Sequence, residues 1–240
     1  MAQTLRAKIG LVTPTSPSGP HFESFGKLIP SDVRLEIEGL DVLGNSIYEL
    51  KALTTPIVKL ILDRAKTRSW DGVMVSAAPV ELLNPDLRTQ LDAAVPIPAT
   101  TALSACVAAL QAFSAKRILL LTPFDDPMNQ MIKDFLARAG IGATPIQTFR
   151  HYTEAIGFRP EEVYRLAQKS LAAASGIEAI YFQGAVLDPL PVIDRIEKDL
   201  GVPVVASNPA MLWHILSKLG LRYQIRGYGR LLAEWRQPPA

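Results

Sequence analysis

The sequence predicts an α/β fold made of two similar Rossmann-like halves, each a mainly parallel sheet flanked by helices. Three observations support this prediction: short apolar runs alternate with helical patterns, three segments recur in the same order, and 48% of the 240 residues are apolar. Strands that alternate with helices form βαβ units, which place the strands in parallel. A chain of this length and apolar content can also bury a core of its own.

Strand candidates follow one another along the chain. They are KIGLVT, VRLEIEGL, GVMVS, VPIPAT, RILLLTP, ATPIQTF, AIYFQ and VPVVAS. Apolar and β-branched runs bounded by Gly, Pro or polar residues are typical of buried strands. Helical patterns lie between them at 46–67, 125–139, 160–174, 190–200 and 208–219, and Pro56 is expected to break the first of these.

The repeat predicts how the chain divides. AKIGLVTP at 7–14 resembles AKRILLLTP at 115–123. In the same order, DGVMVSAA at 71–78 matches EAIYFQGA at 178–185, and VPIPATTAL at 95–103 matches VPVVASNPA at 202–210. The last two pairs start 107 residues apart. Ordered repeats indicate homologous units, so we expect a first half at 1–113 and a second at 114–240, with 221–240 packing back on the first. Ligands of open α/β sheets bind beyond the carboxyl ends of the strands, which predicts a cleft between the halves.

Composition and charge exclude several classes of function. The 25 basic and 23 acidic residues are interspersed and give a formal net charge of +2, which argues against a nucleic-acid surface. No apolar run approaches the ~20 residues that cross a bilayer, so we expect a cytoplasmic protein without membrane contact. One cysteine and three widely spaced histidines give no disulfide framework and no metal-ligand pattern. No metal site is therefore expected, and whether the chain forms a homo-oligomer is left open.

Two predicted helices open with short polar side chains at matched positions of the repeat. Thr100 and Thr101 open the first, and Ser207 and Asn208 open the second. Amides at a helix N-terminus, with the positive end of its dipole, bind carboxylate or phosphate groups. The same residue types also serve as ordinary helix caps. Because the two motifs match across the repeat, we favour a cleft for an anion, and the absence of a GxGxxG or GxxxxGKS motif argues against a nucleotide.

Five segments, in order, resemble a known superfamily. KIGLVTP, ATTALSACVAAL, TPFDDPMNQMIKDFL, LGVPVVASNPAMLW and GYGRL are similar to the aspartate/glutamate racemase superfamily, in the branch of arylmalonate decarboxylase and maleate isomerase. The resemblance implies two pseudo-symmetric halves, a small-molecule cleft, no cofactor, and a reaction next to a carboxylate. Family members use thiols in two strand-end turns, because a thiolate can be tuned to form near neutral pH while amides and hydroxyls hold an oxyanion.

This sequence departs from the family pattern at both thiol positions. The first position, where the decarboxylases have a glycine instead of the cysteine, falls on Ala78, or on Ala77 if the internal repeat is followed, and the second falls on Gly184. Cys106 is not expected to replace them, because it shares an apolar helical face and belongs in the core. Phe124 stands where a tyrosine helps to hold the substrate carboxylate in the decarboxylase.

The residues left in the predicted cleft define the expected site. The catalytic part is predicted to comprise Gln183, Gly184, Ser76 and Ala78, whose side chains and turn amides would hold an oxyanion. The predicted substrate-binding residues are Pro14, Thr15, Ser16, Pro79, Val80, Thr101, Thr122, Phe124 and Asn208. A loop residue such as His21, His151 or Tyr152, or bound water, would then have to move the proton.

The leading functional prediction is a cofactor-independent decarboxylase-like or isomerase-like enzyme. It would act on a small mono- or dicarboxylate through an enolate-like or oxyanion intermediate, without the family thiols. One alternative is a small-carboxylate-binding pseudoenzyme without turnover, which explains the missing thiols with fewer assumptions. Another is a water-dependent lyase or hydrolase, for which the sequence has no positive motif.

Overall fold

The computed structural model describes residues 4–146 and 149–239, and within these ranges eight strands form two four-stranded parallel sheets. The first sheet contains β1 (Ala7–Thr13), β2 (Val33–Gly39), β3 (Gly72–Val75) and β4 (Ala99–Thr101), in the order β2-β1-β3-β4. The second contains β5 (Arg117–Leu121), β6 (Gly142–Ile146), β7 (Ala179–Phe182) and β8 (Val204–Ala206), in the order β6-β5-β7-β8. The shared strand order confirms the predicted α/β fold. Residues 147 and 148 of the predicted ATPIQTF strand lie outside the described residues, as do the ends of the two predicted halves at 1–3 and 240.

Helices connect the strands on both sides of each sheet. They are α1 (Pro20–Gly26), α2 (Thr54–Arg68), α3 (Ala78–Leu83), α4 (Leu87–Ala94), α5 (Ala102–Ala112), α6 (Asp126–Arg138), α7 (Pro160–Ala172), α8 (Ile193–Leu200), α9 (Ser207–Lys218) and α10 (Arg230–Glu234). Pro56 does not break the helical pattern at 46–67, because α2 begins only at Thr54 and Pro56 lies in its first turn. A proline there forfeits no intrahelical hydrogen bond. In the described part of the chain, no helix is long and apolar enough to cross a bilayer.

Alternate residues of the central strands face two different cores. Ile9, Leu11 and Met74 of the first sheet share a core with Ile118 and Leu120 of the second, and this central core lies between the halves. The intervening strand residues face outer cores, which contain residues of α2 and α4 on the first sheet and of α7 and α8 on the second. This period of two is the one expected for strands buried on both faces.

The helices that follow the last strand of each sheet lie between the halves. α5 and α9 pack against each other, α5 also contacts β8, and α9 contacts β3 and β4 of the first sheet. The C-terminal segment also reaches the first half, where the Tyr223 hydroxyl donates a hydrogen bond to Asp32 at 3.0 Å. Each half is therefore covered in part by a helix of the other, and the boundary after residue 113 stays a prediction.

Candidate functional site

The carboxyl ends of both sheets converge on a cavity of about 100 Å³. Its wall includes pairs of residues that follow β1, β3, β5, β7 and β8, namely Pro14 and Thr15, Ser76 and Ala77, Pro123 and Phe124, Gln183 and Gly184, and Ser207 and Asn208. Because about 10–15 Å³ in this measure holds one water molecule, the cavity has room for a small organic ligand. Its position at the carboxyl ends of both sheets agrees with the rule for α/β proteins.

Most of the predicted site residues are brought together at this cavity. The members that line it are Pro14, Thr15, Ser76, Pro79, Phe124, Gln183, Gly184 and Asn208. They come from both halves, as the repeat predicts for a shared cleft.

Two predicted residues of the first half face the core instead. Ala78 and Val80 lie in α3 and are 0% and 1% exposed. Ala77, which precedes them, lines the cavity with a φ of 71°, and its repeat partner Gly184 lines it with a φ of 103°. The repeat offset of 107 residues therefore pairs the two equivalent cavity positions, and Ala77 occupies the place expected for Ala78.

Three further predicted residues lie away from the cavity because local hydrogen bonds engage them. The exposed Ser16 hydroxyl donates to Asp41 at 2.7 Å. The Thr101 hydroxyl accepts from the Ser104 amide at 3.3 Å and caps α5. The buried Thr122 hydroxyl accepts from the Phe124 amide at 3.1 Å and also bonds Asn129. The capping and turn roles of short hydroxyl side chains account for these positions.

Gln183 contributes a buried amide with one end free. The residue is 1% exposed, and its Oε1 accepts a hydrogen bond from the Tyr181 hydroxyl. Its Nε2 has no hydrogen-bond partner within the described ranges. A buried donor left without an acceptor costs about 1–3 kcal/mol, and because Gln183 belongs to the cavity wall, its amide is the candidate donor for an external acceptor.

The start of α9 adds a second feature that favours an anion. Ser207 and Asn208 form its first residues and line the cavity. No side chain in the described part of the chain caps its first turn. The positive end of the helix dipole therefore faces the cavity and favours an anionic ligand there.

The rest of the wall is mostly apolar. Its apolar residues beyond the strand ends include Phe22 of α1, Leu43, Ile47 and Leu50 of the connection after β2, and Met211 of α9. None of these residues is among the predicted site residues. A sequence signal existed for Leu43, Ile47 and Leu50, because the connection after β2 starts at the carboxyl end of a strand and carries apolar residues three to four positions apart.

His21 and Tyr152, two of the predicted loop residues, line the cavity. Burial lowers the pKa of His21 below its usual value, so the imidazole is neutral at pH 7. His151, the third loop candidate, is exposed and bonds the Thr153 hydroxyl at 2.6 Å. Among the residues that the structure describes, no Asp, Glu, Lys or Arg lines the cavity, so dipoles and neutral donors must balance the charge of an anionic ligand.

Cys106 lies in the central core rather than in the cavity. It is 0% exposed, and burial raises the pKa of its thiol to about 12. A thiol in this environment is neither nucleophilic nor a ready acid at neutral pH. Within the described ranges, no three side chains of His, Cys, Asp or Glu converge as metal ligands would.

Asp125, beside the cavity residue Phe124, joins the two halves through a helix cap. Its carboxylate accepts from the Met128 amide at 3.1 Å and caps α6. It also accepts from the Tyr48 hydroxyl of the first half at 2.6 Å. Asp125 is thus engaged as a cap, the role that its position before a helix favours.

Comparison with known proteins gives a consistent result. The family model for arylmalonate decarboxylase matches residues 59–232. The chain is 29% identical to arylmalonate decarboxylase from Bordetella bronchiseptica over 98% of this chain and 100% of that protein. It is 30% identical to maleate isomerase from Nocardia farcinica over 54% of this chain and 52% of that protein.

Solved structures show the same fold. Unliganded arylmalonate decarboxylase superposes with a TM-score of 0.81 at 24% identity, covering 95% of this chain and 99% of that one. Maleate isomerase from Pseudomonas putida S16 superposes with a TM-score of 0.74 at 18% identity, covering 95% and 99%. The predicted resemblance is confirmed, and because the family model spans more than half of the sequence, the chain belongs to the arylmalonate decarboxylase family.

Proposed function

We propose that the protein is a cofactor-independent decarboxylase-like enzyme for a small malonate-type dicarboxylic acid with an apolar substituent, and that it works without a thiol. The observation that supports this most directly is the unpartnered Nε2 of Gln183, a residue in the wall of a mostly apolar cavity. Such a wall accommodates a ligand that has one carboxylate near the polar donors and its leaving carboxylate and apolar group against the apolar side chains. The family membership of the chain fits the same class of substrate.

The ligand carboxylate accepts hydrogen bonds from Gln183 Nε2 and lies near the start of α9 at Asn208. Ser76, at the end of β3, supplies a hydroxyl from the first half. The sequence left open whether Thr101 or Asn208 contacts the ligand carboxylate. We assign this contact to Asn208, because the Thr101 hydroxyl is engaged as a helix cap. The apolar substituent packs against Phe22, Ile47 and the neighbouring side chains.

Decarboxylation then requires one bond to break and one to form. The bond between the α-carbon and the leaving carboxylate breaks, carbon dioxide departs, and the electron pair moves into the retained carboxyl group as an enediolate. An apolar wall favours loss of the carboxylate charge, and preorganised donors hold the charge that develops on the enediolate.

A proton must finally reach the α-carbon. His21 is neutral in the free protein because burial lowers its pKa, but a bound anion beside it favours the protonated ring. His21, or water held in the cavity, delivers the proton in place of a thiol. This assignment predicts that His21→Gln slows the protonation step without abolishing ligand binding.

The test is incubation of the purified protein with phenylmalonate in deuterated buffer, followed by NMR. We expect carbon dioxide release and phenylacetate carrying deuterium at the α-carbon. Gln183→Leu is expected to lower the rate about 10²–10³-fold, the effect typical of losing one oxyanion donor. Gln130→Leu removes an amide on α6 that donates to Asp134 and serves as the matched control, which should keep the full rate.

A second candidate is a carboxylate-binding protein without turnover. It is favoured by the position of Cys106, because the only thiol of the sequence lies in the core with a pKa of about 12. Tight binding of phenylmalonate, with no product in the NMR spectrum after incubation, would support the binding protein over the decarboxylase. A hydratase-type lyase would instead add water and give one product with every carbon atom of its substrate, and a hydrolase would give two products that together contain those atoms and one added water.

A further inference from the structure

We propose that Tyr181 is a positioning residue that fixes the Gln183 amide as a hydrogen-bond donor toward the cavity. The inference rests on the proposed function, in which Gln183 holds an anionic oxygen. Tyr181 itself does not line the cavity, so its effect on a ligand would pass through Gln183.

The two side chains meet because they share one face of the strand that leads to the cavity. Tyr181 lies in β7 and belongs to the central core, and Gln183, two positions after Tyr181, directly follows β7 on the same face. Tyr181 is 0% exposed, and its hydroxyl donates to Gln183 Oε1. The buried Cys106 thiol lies close to the same hydroxyl.

The neighbours of the Tyr181 hydroxyl decide which way the amide points. A glutamine amide can be turned over, which exchanges the positions of its oxygen and nitrogen. In the observed orientation the Tyr181 hydroxyl donates to Oε1, a carbonyl oxygen and a good acceptor. In the reversed orientation Nε2 would donate to the hydroxyl, whose proton would then need the sulfur of Cys106, a weak acceptor, as its partner.

The observed orientation is therefore the stronger one. It pairs the hydroxyl donor with a carbonyl oxygen, whereas the reversed orientation leaves that donor only a sulfur. Burial also raises the pKa of Tyr181, and the nearby Glu81 carboxyl adds to this shift. The hydroxyl consequently stays protonated and keeps its donor role at ordinary pH.

This arrangement has a consequence for ligand choice. With Oε1 engaged, Gln183 can offer the cavity only N–H groups. An acceptor such as a carboxylate oxygen satisfies them, whereas the NH₂ end of a carboxamide does not. Tyr181 would therefore contribute to the preference for an acid over its amide of the same shape.

The test compares two probes of nearly equal shape, phenylacetate and phenylacetamide. Wild type should bind phenylacetate more tightly, and in Tyr181→Phe the ratio of the two affinities should fall about tenfold, because the freed amide can turn and accept from phenylacetamide. Tyr164→Phe is the matched control, since the Tyr164 hydroxyl donates to Asp199 at 3.0 Å far from the cavity wall. An unchanged ratio in a folded Tyr181→Phe would overturn the inference.

A second measurement does not depend on any ligand. Tyr181→Phe, Gln183→Leu and the double variant are compared by thermal unfolding. We expect the double variant to lose less melting temperature than the two single shifts predict together, because both changes remove the same hydrogen bond. Additive shifts would refute the contact, and therefore the inference, even if wild type binds neither probe. Failure of both probes to bind, with non-additive shifts, would count against the proposed function alone.

Discussion

Gly184→Ala tests the geometry of the turn after β7. Gly184 has a φ of 103°, a backbone conformation that favours glycine. A Cβ atom at this position would lie 2.7 Å from Cδ and 2.8 Å from Cγ of Pro123, both in a rigid ring. The substitution therefore combines backbone strain with a steric clash.

The size of the effect follows from these two terms. A non-glycine residue in a sparsely populated backbone region costs about 1–3 kcal/mol. Overpacking in a well-packed region costs about another 1–3 kcal/mol. We expect Gly184→Ala to lower the free energy of unfolding by roughly 2–6 kcal/mol, with each kcal/mol corresponding to about 2–4 °C in melting temperature at this chain length.

The assay is urea unfolding followed by tryptophan fluorescence, with Gly140→Ala as the control. Gly140 has a φ of 75°, but a Cβ atom added there would meet no neighbouring atom within 4 Å, so its substitution carries only the backbone cost of about 1–2 kcal/mol. If Gly184→Ala loses no more stability than Gly140→Ala, the clash with Pro123 is refuted. If it loses more, a cysteine at 184 would meet the same obstacle, and the family thiol could be introduced there only together with a change at Pro123.

Three further predictions concern single side chains. Cys106 should resist iodoacetamide in the native protein at pH 7 and react after unfolding in urea, because it is buried with a pKa of about 12; rapid native labelling would contradict its core position. Burial lowers the pKa of His214 to about 4, so the unfolded chain binds more protons between about pH 4 and pH 6.5. Between pH 6.5 and pH 4, the free energy of unfolding of wild type should therefore fall by up to about 3 kcal/mol more than that of His214→Gln. If the free energies of unfolding of the two proteins change in parallel with pH, the low pKa of His214 is refuted. Asp125→Ala removes the acceptor of both the Met128 amide and the Tyr48 hydroxyl and should cost about 1–2 kcal/mol, whereas Tyr48→Phe, which keeps the helix cap, should cost less.

The sequence was sufficient for the fold because buried parallel strands have a strong local pattern. Each predicted strand run overlaps a strand of the structure, the run at 95–100 only in its last two residues, and the turn residues that follow β1, β3, β7 and β8 reach the cavity as expected. Those positions depend only on strand order and on the rule that parallel strands end at the same edge.

The rest of the site depends on tertiary packing. Thr101 and Asn208 occupy matched repeat positions, yet only Asn208 lines the cavity, because the cavity is not symmetric between the halves. Leu43 and Ile47 lie in a connection whose apolar spacing was visible in the sequence, but whose path over the cavity depends on tertiary packing. The family pattern pointed to Ala78 and the internal repeat to Ala77, and the backbone of the turn decides for Ala77.

Because α5 packs on the second sheet and α9 on the first, the first half cannot complete its packing as soon as it is synthesised. β3 and β4 are made first, but α9, which covers part of them, begins at Ser207, about 105 residues after the end of β4 and about 130 after the end of β3. At the usual 5–20 residues per second of translation, this face of the first sheet stays uncovered for roughly 5–25 s on the ribosome. The nascent chain therefore completes the packing of its first half only after nearly all of the second half has been synthesised. During that interval the apolar face of the first sheet is exposed and can be bound by chaperones.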